Sequence, residues 1–85
     1  MIRGLYGIAD AGAHGDPVVL GQAMLDGGCR LIQLRCKGWA PTDVLDAARD
    51  LRERTRKHGA TFIINDSVDI ALAVNADGVH LGQTD

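Results

Sequence analysis

No apolar run in the sequence approaches the ~20 residues that a membrane-spanning helix needs. The opening residues, MIRGLYGIAD, lack the charged start and long apolar core of a signal peptide. Neither a membrane nor a secreted protein is expected, and the composition points to the cytoplasm. Charge of one sign is also lacking. Nine Lys and Arg against eleven Asp and Glu leave a net charge of -2. That sets up no global field for nucleic acid or anionic lipid, so any recognition of an anion has to be local. Cysteine is scarce: Cys29 and Cys36 have neither CxxC spacing nor a Cys/His cluster beside them, so packing thiols are expected rather than a disulfide or a zinc site. No Ser-His-Asp or Cys-His arrangement of recognised spacing occurs. No low-complexity segment or linker interrupts the chain. With 46% hydrophobic and 24% charged residues in 85, the balance is that of one small folded domain or a piece of a larger one, which argues against disorder.

What is present is an alternation of strand and helix signals. RGLYGIA is a short strand closed by the turn-rich DAGAHGD. Asp16 followed by Pro17 reads as a helix cap and first helical position, Val18, Leu20, Met24 and Leu25 recur near helical spacing, and Gly27 and Gly28 end the helix. CRLIQLR is a second strand. In APTDVLDAARDLRERTRKHG, Val44, Leu45, Ala48 and Leu51 form an apolar stripe, Asp50 to Arg54 and Glu53 to Lys57 are favourable i,i+4 pairs, and Gly59 supplies the stop. Acids early and cations late suit the helix dipole, so RERTRKH reads as a solvated helix end rather than an RNA-binding cluster. TFIIN is the third strand, SVDIALAVN a short helix and GVHL a fourth strand.

Nearly continuous apolar strands joined by crossover-length connections predict a parallel α/β sheet. Four strands with three helices are about half of a (β/α)8 barrel, which typically takes ~250 residues. The expectation is an N-terminal half barrel, residues 1–85 forming one partial domain, with a small flavodoxin-like sheet as the alternative.

Strand two raises a chemical question. In LIQLRCKGW, alternation puts Gln33, Arg35 and Lys37 on one face and Ile32, Leu34 and Cys36 on the other. In a barrel the first face looks into a pocket at the carboxyl ends of the strands; on an edge strand the same charges would act against aggregation. Asn65 and Asp66 follow TFII at the end of strand three, where they are either pocket groups or a turn and helix-capping pair. Asp85 falls at the equivalent place after strand four. Two carboxylates on adjacent strand ends, beside an amide and two cations, suit Mg2+ bridging to a pyrophosphate. His80 is expected to point inward, Trp39 to cover the pocket or pack on the second long helix, and Ser67 and Asp69 to serve the helix that follows them. His14 and His58 are expected at the surface.

In order and spacing, GLYGIAD, IQLRCK and FIINDSVDIALAVNADGVHLGQTD resemble the N-terminal half of the thiamine phosphate synthase family. The resemblance covers nearly the whole chain and is strongest from Phe62 to Asp85. It implies that Gln33 meets the pyrimidine end of an aminopyrimidine diphosphate, that Arg35, Lys37 and Asn65 meet its diphosphate, and that Asp66 and Asp85 are the magnesium carboxylates. The implied reaction joins the pyrimidine methylene to a thiazole phosphate and releases pyrophosphate, with no catalytic side-chain nucleophile. The family's further phosphate-binding loops would lie beyond Asp85. Two rivals remain: a thiazole tautomerase of the same superfamily, which binds no diphosphate, and a noncatalytic phosphate-binding half-barrel module that pairs with another copy. Partners are expected to be these small molecules, with no nucleic acid and no membrane; the oligomeric state is left open.

Overall fold

The computed structural model of the chain describes residues 5–10 and 15–81. In chain order the elements are β1 (Leu5–Asp10), α1 (Pro17–Asp26), β2 (Cys29–Arg35), α2 (Pro41–His58), β3 (Thr61–Asn65), α3 (Val68–Ala73) and β4 (Gly78–His80). The strands form one parallel sheet in the order β1-β2-β3-β4. That order separates the two expected architectures. A flavodoxin-like sheet places its first strand between its second and third, whereas consecutive neighbours are the arrangement of a (β/α) barrel. The described residues form a partial barrel of four parallel strands and three helices.

Local chemistry sets the element ends. Asp16 Oδ1 accepts from the Val18 and Val19 amides at 2.9 and 3.4 Å, and Pro17 opens α1 where its missing N–H costs nothing. α2 begins at Pro41, carries Asp43 in its first turn and Arg56, Lys57 and His58 in its last, and stops at Gly59 with φ +67°, a left-handed conformation that a side chain would strain. The expected Asp50–Arg54 pair is formed, at 2.6 Å. Ser67 caps α3 by accepting from the Ile70 amide at 3.2 Å.

The sheet has two unlike faces. Ile32, Leu34, Phe62 and Ile64 alternate onto the helix side, where they are fully buried against Ala48 and Leu51 of α2 and Leu25 of α1. Each such side chain contributes about 1.5–3 kcal/mol of burial. Gly21 lets the first two helices close up: a Cβ there would stand 2.6 Å from Leu51 Cδ2. At the amino end of β3, Asp77 Oδ2 accepts from the Phe62 amide (2.7 Å) and Arg52 Nη1 (2.9 Å), latching α2 to the sheet. The opposite face carries Tyr6, Ile8, Gln33, Arg35, Ile63 and Asn65, in register across the strands. Cys29 and Cys36 are free thiols. No described helix is long and apolar enough to cross a membrane.

Candidate functional site at the carboxyl ends of the strands

Parallel pairing brings the polar residues of this second face together. Gln33 lies in register between Ile8 and Ile63, Asp10 lies beside Arg35, and Asn65 lies beside His80. The side chains form a continuous hydrogen-bonded chain. The Tyr6 hydroxyl donates to Gln33 Oε1 at 2.7 Å, and Gln33 Nε2 donates to Asn65 Oδ1 at 2.8 Å. Asn65 Nδ2 donates to Asp66 Oδ2 at 2.9 Å, while His80 Nδ1 lies 3.3 Å from Asn65 Oδ1. Gln33 is only 4% exposed, so an unmade bond to its amide would carry a desolvation cost of roughly 1–3 kcal/mol.

Asp66 is held by its backbone as well. Its φ is +64°, a left-handed conformation that Asp tolerates better than most residues but at some strain. Its amide donates to the His80 carbonyl at 2.8 Å, continuing the β3–β4 pairing one residue past the strand. The exposed carboxylate is thereby fixed at the rim of the sheet.

The cations are placed differently from each other. Arg35 ends β2 on the polar face, with Nε 3.9 Å from Asp10 Oδ2. Lys37 lies past the strand, in a turn at 37–38 that Gly38 makes with φ +83°. It therefore does not continue the strand alternation as the spacing predicted. It lines a cleft of about 440 Å³ that it shares with Asn65, Asp66, Ser67 and Trp39, floored by Leu34 and Ile70. A larger open hollow, about 800 Å³, lies between the starts of α1 and α2 among Asp16, Asp43, Asp46 and Asp50. Its lining would repel an anion, Asp16 is engaged in capping, and Asp50 is paired with Arg54.

The structure thus joins Gln33, Asn65 and Asp66 by direct hydrogen bonds, adds Lys37 through the shared cleft, and sets Arg35 on the same face beside Asp10. Asp85 and His14 lie outside the described residues. Among the described residues no group of three or more His, Cys, Asp or Glu is gathered to hold a metal. Magnesium does not require one, since it binds through one or two carboxylates together with ligand phosphates. Ser67 acts as the expected cap, Trp39 is half-exposed at the cleft, and His58 sits on the exposed end of α2. Tyr6 and Asp10 were not singled out from the sequence. The signal was there: extending the period of two back along β1 puts Tyr6, Ile8 and Asp10 on the face that carries Gln33 and Arg35.

A consecutive parallel sheet with helices on one side and polar side chains gathered at its carboxyl rim defines the (β/α)-barrel proteins whose sites lie at that rim. The chain belongs to the thiamine monophosphate synthase family, whose profile matches residues 5–85. It is 52% identical over 64 residues to a thiamine-phosphate synthase of Laribacter hongkongensis, covering 75% of this chain and 30% of that protein. With the thiamine-phosphate synthase of Wolinella succinogenes it shares 39% identity over 87 aligned positions, 99% of this chain and 41% of that one. The fold superposes on thiamine phosphate pyrophosphorylase from Pyrococcus furiosus with a TM-score of 0.88 at 38% identity, covering 96% of this chain and 40% of that chain. The chain spans less than half the length of these relatives.

Proposed function

We propose that this chain supplies the pyrimidine-diphosphate side of a thiamine phosphate synthase site. The observation that carries the reading is the hydrogen-bonded run Gln33–Asn65–Asp66 ending at a cleft that also holds Lys37. Gln33 presents an amide edge to the pyrimidine. Arg35 offers a planar fork and Lys37 a compact charge to the diphosphate oxygens, and Asn65 joins them at the rim. Asp66 and Asp85 are the carboxylates for Mg2+, which when bound supplies positive charge against the diphosphate. The substrates are an aminopyrimidine diphosphate and a thiazole phosphate. The methylene C–O bond breaks, pyrophosphate departs with the electron pair, and the thiazole nitrogen lone pair forms the new bond to the methylene carbon. In this reaction the cations and amides stabilise charge on the leaving group, and no side chain needs to be a nucleophile.

Asp66→Asn and Asp85→Asn test the assignment in the complete protein. Asn accepts a left-handed backbone as readily as Asp, so melting temperatures should stay close to wild type. Turnover should fall on the order of 10²-fold or more, the usual cost of losing a group aimed at developing charge. Full turnover in both variants would remove the carboxylates from the site.

A further inference from the structure

Trp39 stands where two cavities meet. The cleft that holds Lys37, Asn65 and Asp66 and the open hollow among Asp43, Asp46 and Asp50 have only Gly38 and Trp39 in common. Gly38 has no side chain, so the indole is the one side chain that lines both. The backbone fixes its place. The Trp39 amide donates to the Cys36 carbonyl at 3.2 Å, closing a turn whose third residue, Gly38, has φ +83°. Glycine takes that left-handed conformation without strain. Two residues further on, Pro41 opens α2. Trp39 is 38% exposed, so well over half of its surface is covered. The two cavities differ in how they hold water. Asp43, Asp46 and Asp50 are exposed carboxylates, which keep their hydration, whereas below its polar rim the cleft is walled by Leu34, Val44 and Ile70.

We propose that Trp39 is a water-excluding partition: its ring closes the cleft against the hollow and so decides whether the methylene carbon of the substrate is captured by the thiazole or by water. The proposal rests on the functional reading above for the reaction, and adds the residue that sets the outcome. When the methylene C–O bond breaks, pyrophosphate leaves with the electron pair and the carbon is open to any lone pair within reach. The thiazole nitrogen gives thiamine phosphate. A water oxygen that bonds to the same carbon and releases a proton to solvent gives the pyrimidine alcohol instead. Closed sites suppress such side reactions by keeping water out. An indole fills the space of several waters at ~30 Å³ each, so shortening it joins the cleft to the hollow by a gap that water can enter. Lys37 and Asp66 cannot take over the task, because charged groups hold water themselves.

The test counts products of the complete protein with Mg2+ present and both substrates saturating. Pyrophosphate reports every C–O cleavage, while thiamine phosphate and the pyrimidine alcohol are measured separately. Trp39→Phe keeps an aromatic body and should hold the ratio of alcohol to thiamine phosphate within about twofold of wild type. Trp39→Ala should raise that ratio on the order of tenfold, with total cleavage within about threefold. The turn is held by a backbone hydrogen bond, so the fold should survive the shortening. Should the alanine variant fail to fold, Trp39→Leu serves in its place, with a smaller rise in the ratio. An unchanged ratio overturns the partition, and so does a loss of total cleavage at constant ratio, which is what a purely structural Trp39 would give. A rise as large in Trp39→Phe as in Trp39→Ala also overturns it, since the indole N–H rather than the bulk of the ring would then be at work. Wild-type protein that cleaves none of the aminopyrimidine diphosphate overturns the functional reading and the partition with it. Normal wild-type turnover with an unchanged ratio in the variants overturns the partition alone.

Discussion

Cys36 follows directly after the last residue of β2, close to the rim, yet its chemistry is subdued. Burial, with a smaller contribution from the negative charge of Asp10, pushes its thiol up to about 11. At neutral pH the thiolate is scarce, and a scarce thiolate makes a poor nucleophile. In the folded protein Cys36 should react with iodoacetamide at pH 7 at least about tenfold more slowly than in the urea-unfolded chain. Equal rates, read by mass spectrometry of the labelled peptide, would contradict the burial that the structure gives it. Residue identities were legible in the sequence where a period of two was explicit: Gln33, Asn65 and His80 lie on the same sheet face, as the alternation in LIQLR and the positions in FIIN and GVHL imply. Tyr6 was hidden because a tyrosine in a short apolar strand has the same appearance whether it packs in a core or carries a hydrogen bond. Asp10 was hidden because an aspartate before Ala-Gly reads as the start of a turn, and only pairing with Arg35 shows that the strand runs through it.

At the level of elements, the caps and stops were readable because each rests on a local rule: Asp16 with Pro17, Ser67, and glycine after His58. Where β2 ends was less readable. Alternation carried on through Lys37, but Gly38 turns the backbone and moves Lys37 into the cleft beside Asp66. The latch at the other end of the sheet was invisible for a different reason. Nothing in NADG announces that Asp77 reaches both a strand amide and a helix guanidinium. The Phe62 N–H first, and Arg52 second, hold the Asp77 carboxyl below the usual carboxylate range. A carboxyl depressed on folding stabilises the native state above its unfolded value of ~3.9, and that contribution is lost as pH falls through the lower folded value. Asp77→Ala should cost about 1 kcal/mol at pH 7, the side chain being partly exposed to solvent that screens the ion pair. The gap between wild type and variant in urea melts should narrow below about pH 4. A gap that is the same at pH 7 and at pH 3 would show that the loss is packing rather than charge.

For the whole molecule, the sequential strand order is what gathers polar side chains at the carboxyl rim. Four neighbouring strands deliver Asp10, Arg35, Asn65 and His80 to one end of one face, and a sheet that reversed its order would scatter them. Alternating strands and helices made the α/β class legible. They could not distinguish consecutive order from the flavodoxin-like one, because the choice depends on which strand edges meet after the helices have crossed over, and no single residue pattern encodes it. The central claim is that this chain carries the diphosphate-binding side of a two-substrate site, and it is tested most directly by splitting the two substrates kinetically. Arg35→Met and Lys37→Met, made in the complete protein, keep a flexible unbranched stem at each position and remove its charged head. KM for the aminopyrimidine diphosphate should rise at least about tenfold in each, since a charge-assisted hydrogen bond contributes roughly 1.5–3 kcal/mol, while KM for the thiazole phosphate stays within about twofold. Equal rises for both substrates, or a rise for the thiazole phosphate alone, would contradict the account.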